Sequence, residues 1–231
     1  MTTDTTGMPL LARGRDADVY VLDDTRVLRR FREPRHRDTA GEAQIMRWVA
    51  EHGYPVPHVH DADGPDLVLE RLHGPTLMQA WQRAPWRIGH YARVLADLHD
   101  RLAAVPAPDW LPAPRSLRET ESGGGSVLHL DLHPLNVILT ADRGPVVFDW
   151  TNAAAGDPAF ELAQTLVTIG TVDAPNALVR FARGRFLASL RRHTAADPTP
   201  RMTDALRARL ENPNNSPAEN ARIRALIDRA P

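Results

Sequence analysis

The hydrophobic pattern of this chain changes character at His73-Gly74-Pro75. Before that break the apolar residues come in short runs that suit strands. Val19-Tyr20-Val21-Leu22 and Val27-Leu28-Arg29-Arg30-Phe31 flank an Asp23-Asp24 turn, and Leu67-Val68-Leu69 follows later. One helical stretch interrupts them, from about Thr39 to His52, with Ile45, Met46 and Val49 on one face and Gly53 as its stop. After the break the pattern is mostly helical. Ile88, Tyr91, Val94, Leu95, Leu98 and Leu102 recur at helical spacing across 86–104. Asp157-Pro158 provides a cap and a first-turn proline for a helix that stops near Gly170. Ser216-Pro217-Ala218-Glu219 reads as a capping box for the last helix. Strands gathered at one end and helices at the other predict an α+β protein. The expected boundaries are a sheet-rich N-terminal domain over 1–73 and a helical C-terminal domain over 74–231.

The 231 residues, 42% hydrophobic and 25% charged, suffice for one or two domains with a real core. No apolar run is long enough to cross a bilayer, so no membrane partner is expected. Met1 to Gly7 is polar and lacks a basic-then-apolar leader pattern. There is no Cys, hence no disulfide framework, and a cytoplasmic setting is the expectation. A net charge of −1 gives no reason to expect nucleic acid. All 28 basic residues are Arg. They are unevenly placed: residues 171–231 hold 11 Arg against 6 acids, a net of +5, which leaves 17 against 23, a net of −6, in the first 170. The Trp residues at 48, 81, 86 and 110 read as core or rim packing.

The chemistry-bearing segment is His129-Leu130-Asp131-Leu132-His133-Pro134-Leu135-Asn136. Beyond it, the apolar run Val146-Val147-Phe148 ends on Asp149, after two short strands around an Asp142-Arg143-Gly144 turn. In-line phosphoryl transfer needs positioning, a divalent cation and a carboxylate near the acceptor hydroxyl. The spacing His-x-Asp-x-x-x-x-Asn, with an Asp ending a strand downstream, is the catalytic-loop pattern of kinases. A metallohydrolase is the competing reading. On a strand, His129, Asp131 and His133 would share a face and could ligate a metal, though this leaves Asn136 and Asp149 without roles.

From these motifs the sequence resembles the aminoglycoside phosphotransferase family, the small-molecule branch of the protein-kinase-like fold. Val27-Leu28-Arg29 resembles the strand that carries the phosphate-binding Lys. Glu42, in Gly41-Glu42-Ala43, resembles its helix partner. Tyr54-Pro55-Val56-Pro57 resembles the turn after that helix, and Val68-Leu69-Glu70-Arg71-Leu72-His73-Gly74 the hinge that holds adenine. Leu98-His99 resembles the end of the helix before the catalytic loop, and Phe148-Asp149-Trp150 the metal-binding Asp-Trp variant. The likeness covers about residues 12–170. It implies a bilobal kinase-like fold, a small antiparallel-sheet lobe with one main helix and a larger helical lobe. It implies an ATP-dependent phosphotransferase acting on a hydroxyl of a small molecule. Asp131 would accept or orient the hydroxyl proton, and Asn136 and Asp149 would bind Mg2+ on the ATP phosphates. Backbone at Glu70 and Leu72 would meet adenine, with Leu69 at the pocket's rear. Gly14 to Asp18 would cover the phosphates.

Two departures shape a second expectation. Arg29 stands where the family has Lys, and a guanidinium is broader than an ammonium. The phosphate loop has only Gly14, and Asp16 and Asp18 add negative charge there. A degenerate kinase-like nucleotide-binding module with little turnover is therefore the alternative. Glu42 has two possible partners: its carboxylate can pair with Arg29 or fold back onto Thr39 in a capping box, Thr39-Ala40-Gly41-Glu42. Strand alternation sends Arg29 and Arg30 to opposite faces, with Arg29 on the inward side beside Val27 and Phe31. The net +5 of residues 171–231 points to a neutral or anionic acceptor, since a polycation would seek an acidic surface.

Overall fold

A computed structural model describes residues 5–14, 16–32, 39–117 and 124–229. In chain order the elements are β1 (Leu10–Arg13), β2 (Ala17–Val21), β3 (Arg26–Phe31), α1 (Ala40–Glu51), β4 (Val59–Asp63), β5 (Asp66–Glu70), α2 (Leu77–Arg83) and α3 (Ile88–Ala103). Then come β6 (Ser126–Leu128), β7 (Val137–Thr140), β8 (Gly144–Val147), β9 (Ala154–Gly156), α4 (Pro158–Thr171), α5 (Ala177–His193), α6 (Met202–Leu210) and α7 (Pro217–Ile227). Two compact units result. One is Met1–Pro75 with Val137–Thr151; the other is Thr76–Asn136 with Asn152–Pro231.

The first unit is an antiparallel sheet in the order β1-β2-β3-β5-β4 with α1 beside it. The turn before β3 forms because the Asp23 carboxylate accepts the Thr25 and Arg26 amides at 2.8 Å each. Register pairs Val19 with Arg29 and Arg29 with Leu67. Alternation along β3 then separates the two arginines as expected. Arg30 forks onto Asp66 at 2.6 Å, while Arg29 turns to Glu42. α1 buries Ala43, Ile45, Met46 and Val49. Thr39 forms no side-chain cap there; its hydroxyl donates to the Gly64 and Asp66 carbonyls. The capping-box alternative for Glu42 is thereby excluded.

The β7–β8 hairpin clusters with this sheet unit, although it lies inside the 74–231 stretch expected to be the C-terminal domain. The reason lies in backbone hydrogen bonds: Leu139 N–H donates to Pro75 O at 2.9 Å and Val147 N–H to Pro55 O at 2.8 Å. Arg143 at the hairpin turn also holds the Glu70 carboxylate at 2.7 Å. Gly74 meets Leu139 so closely that a Cβ there would lie 2.1 Å from the Leu139 carbonyl oxygen. Trp150, fully buried, sets its ring edge-on to Tyr54 at 5.6 Å.

The second unit is helical, with β6 and β9 paired antiparallel within it. α2 carries a complete capping box between Thr76 and Gln79. Asp157 caps α4 by accepting the Ala159 amide at 2.8 Å, with Pro158 in the first turn. α3 buries Tyr91, Leu95, Leu98, His99 and Leu102. A second apolar cluster joins Leu128, Phe160, Ala163, Val167, Leu206 and Ile223. Ser216 caps α7, but Glu219 does not complete the expected box. Its carboxylate turns to Arg209 at 2.7 Å and the Thr171 hydroxyl at 3.2 Å. Among the tryptophans, Trp81 stacks on Phe186 at 4.8 Å, whereas Trp86 is 80% exposed and so corrects the packing expectation. Among the described residues no helix is long and apolar enough to cross a membrane.

Candidate active site

The first unit gathers Arg29, Glu42, Asp149 and Thr151. β3 delivers Arg29 inward, where its side chain is 12% exposed. α1 delivers Glu42, whose desolvation pushes its carboxyl up, against the nearby Arg29 charge that pulls it down. Arg29 Nη2 donates to Glu42, and Nη1 donates to Asp149 Oδ1 at 3.1 Å. The guanidinium carbon lies 4.8 Å from the Phe31 ring centre. Glu42 is also an anchor for the chain at 149–151. It accepts the Trp150 amide at 3.1 Å, and the Thr151 hydroxyl lies 3.2 Å from its Oε2. That anchoring answers a conformational demand, because Asp149 has φ +67. A side-chain-bearing residue reaches this region only when its surroundings hold it there.

At the β1–β2 turn, the Gly14 amide donates to Ala17 O at 2.8 Å, and a Cβ at Gly14 would lie 3.0 Å from that oxygen. Arg32, which the sequence reading did not single out, staples this turn. It donates to Gly14 O and Asp18 Oδ1, both at 2.7 Å. Its hydrogen bond holds the Asp18 carboxyl below its ordinary range. The acidic charge at Asp18 is thus countered locally. Leu69 is buried in β5, opposite Val27. The Glu70 amide donates to His58 O at 2.9 Å, and Leu72 lies two residues beyond the strand.

The second unit gathers His129, Asp131, His133 and Asn136. Here too the loop needs a strained residue, Leu130 at φ +62. Helices hold it in place. Glu161 of α4 accepts the Leu130 amide at 2.7 Å, Thr165 of α4 donates to Leu132 O at 2.9 Å, and the Met78 amide of α2 donates to Pro134 O at 2.9 Å. Asp131 is met by His133 Nε2 at 3.2 Å and by Asn136 Nδ2 at 3.1 Å. Burial alone would raise its carboxyl. The His133 hydrogen bond and charge, with His129 and Asn136, outweigh that and hold it below its ordinary range. Asp131 is therefore ionised at neutral pH. Asn136 Nδ2 is committed to Asp131, also through the backbone carbonyl at 2.9 Å, so the amide oxygen is the atom it can offer a cation.

The metallohydrolase alternative does not fit. His129 is fully buried and its Nδ1 accepts the Asp131 amide at 3.2 Å. Among the described residues no three His, Cys, Asp or Glu side chains are grouped to hold a metal. Sequence reasoning missed Thr151, Glu161 and Arg32. Glu161 left a signal, the one charged residue of α4, set between the apolar Phe160 and Leu162. Burial raises its carboxyl to about 7, and the Asp131 charge adds to this, against hydrogen bonds from the Leu130 and His129 backbone.

A search of curated proteins found no match. Solved structures share the fold. Aminoglycoside phosphotransferase APH(4)-Ia, in a ternary complex with AMP-PNP and hygromycin B, is 15% identical with a TM-score of 0.66, covering 96% of this chain and 94% of that one. The amicoumacin kinase hAmiN, with AMP-PNP, Ca2+ and amicoumacin, is 15% identical with a TM-score of 0.59, covering 97% and 89%. APH(2'')-IIa with streptomycin and ATP is 13% identical with a TM-score of 0.58, covering 87% and 82%. The fold is thus the kinase-like α+β fold of these enzymes. The sequence profile of the phosphotransferase enzyme family, APH, matches residues 8–124 and 120–201, and the chain belongs to that family.

Proposed function

We propose that ATP is the donor, and a hydroxyl of a small molecule the acceptor, in the phosphotransfer that family membership assigns to this chain. The observation that carries this reading is the Asp131 carboxylate held between His133 Nε2 at 3.2 Å and Asn136 Nδ2 at 3.1 Å. Such a group accepts a hydroxyl proton, or orients the hydroxyl, as attack begins. Asn136 and Asp149 each offer an oxygen to Mg2+, which when bound neutralises charge on the transferring phosphate. Arg29, steadied by Glu42, supplies a fixed cation for phosphate oxygens. Gly14 and its turn cover the phosphates, and backbone at Glu70 and Leu72 meets the base, with Leu69 behind it. AMP-PNP, ATP or ADP in the related structures supports the choice of nucleotide. The net +5 of residues 171–231 supports a neutral or anionic acceptor.

Arg29 in place of Lys favours the second reading, a nucleotide-binding module with little turnover. The two are separated by experiment. Mg-ATP at about a hundred times its dissociation constant should stabilise the protein by roughly 2.7 kcal/mol. A panel of hydroxyl compounds, assayed for phosphate transfer, then tests catalysis. Asp131→Asn should lower kcat by about a hundredfold to ten-thousandfold. Binding without transfer to any acceptor would favour the module; full turnover by Asp131→Asn would remove Asp131 as the base.

A further inference from the structure

The two carboxylate oxygens of Asp149 have different surroundings. Oδ1 accepts from Thr151 Oγ1 at 2.9 Å and from Arg29 Nη1 at 3.1 Å. Oδ2 has no hydrogen-bond partner among the described residues, and the side chain is 44% exposed. The terminal torsion of an Asp is soft, so one contact does not hold such a carboxylate in place.

Arg29 makes this matter. A guanidinium prefers to close both arms on one carboxylate, which an ammonium cannot do. If Arg29 did so with Asp149, both oxygens would be consumed and none left for a cation. Two contacts oppose that outcome. Glu42 occupies Nη2 of Arg29. The Thr151 hydroxyl claims Oδ1, and it also lies 3.2 Å from Glu42 Oε2 and 3.5 Å from Arg29 Nη1. A hydroxyl has one hydrogen; the shorter contact places it on Asp149. Glu42 meanwhile holds the backbone of the turn through the Trp150 amide.

We infer that Thr151 is a positioning residue: its hydroxyl holds Oδ1 of Asp149 so that Oδ2 is presented, alone, as the ligand for a divalent cation, and this offsets the presence of Arg29 where Lys would be expected. The inference rests on the proposed role of Asp149 as a metal ligand. Thr151 touches neither nucleotide nor acceptor in this scheme. It acts only through Asp149.

The test is a Mn2+ titration followed by the paramagnetic signal of free Mn2+, with and without AMP-PNP, which needs no turnover. Thr151→Val keeps the shape and removes the hydroxyl; Thr151→Ser keeps the hydroxyl. Thr151→Val should weaken Mn2+ binding at least about tenfold, the worth of a hydrogen bond to a charged group. Thr151→Ser should restore it to within about threefold. Adding Arg29→Lys to Thr151→Val should recover part of the loss, because an ammonium cannot close a fork. Thermal unfolding of each variant separates misfolding from lost binding. Wild-type affinity in a folded Thr151→Val, or failure of Ser to restore it, would overturn the inference while leaving Asp149 as ligand. No Mn2+ binding by the wild type would overturn the metal-ligand reading and the inference with it.

Discussion

Removing Glu42 should unfold more than a single ion pair. The side chain is 5% exposed and accepts from Arg29 and from the Trp150 amide, with the Thr151 hydroxyl 3.2 Å away. Glu42→Ala strands the Arg29 charge at 12% exposure, with Asp149 the one carboxylate left beside it among the described residues. Breaking a buried pair by deleting one partner costs about 3–5 kcal/mol. For a chain of this length about 2–4 °C accompany each kcal/mol, so the melting temperature should fall by roughly 6–20 °C. Near-ultraviolet circular dichroism on heating reads this directly, since Trp150 packs beside the pair. The double variant Arg29→Met with Glu42→Leu removes both charges. Both variants leave the Trp150 amide unpaired, at about 1–3 kcal/mol, so the double should be less destabilised than the single by the cost of the stranded charge. A Glu42→Ala protein that melts within a degree or two of wild type, or a double variant as unstable as the single, would refute the hub assigned to this carboxylate.

Three further outcomes follow, two of them from buried titratable groups. Glu161 binds its proton more tightly folded than unfolded, so its stabilising share is complete below about pH 4.5 and is lost as pH rises through about 7, roughly 3 kcal/mol in all. Glu161→Gln keeps an acceptor for the Leu130 amide and should flatten that slope in urea titrations across this range; an unchanged slope would count against it. His99 has the opposite sign. Burial, with His129 nearby, lowers its ring to about 3, so the stability it lends is present above about pH 6.5 and drains as pH falls. His99→Leu should move the acid-unfolding midpoint to lower pH, and a midpoint that stays put would contradict this reading. Gly74→Ala places a Cβ 2.1 Å from Leu139 O and should cost about 3 kcal/mol of unfolding free energy, read by urea titration; a neutral substitution would show that the backbone there yields freely.

Much of the fold was legible because its signals are local. Alternation along β3 assigned Arg29 and Arg30 to opposite faces, and the structure pairs them with Glu42 and Asp66 respectively. Asp157-Pro158 announced α4, where cap and proline act within one turn. The span from His129 to Asn136 announced the loop that brings Asp131, His133 and Asn136 together. What stayed hidden was partner choice among side chains that each have several options. Thr39 could cap α1 and instead holds Gly64 and Asp66. Glu219 could complete a capping box and instead holds Arg209.

The amino-acid order alone determined which residues can form strands, helices and turns, and which functional groups this chain possesses, because those follow from periods and spacings of a few residues. Only the tertiary structure decided what each group binds. Glu42 finds the Trp150 amide 108 positions away, and Leu130 finds Glu161 31 positions away. A buried polar group must be satisfied by whatever donor or acceptor the packing brings to it. That competition is settled by contacts that sequence spacing does not encode.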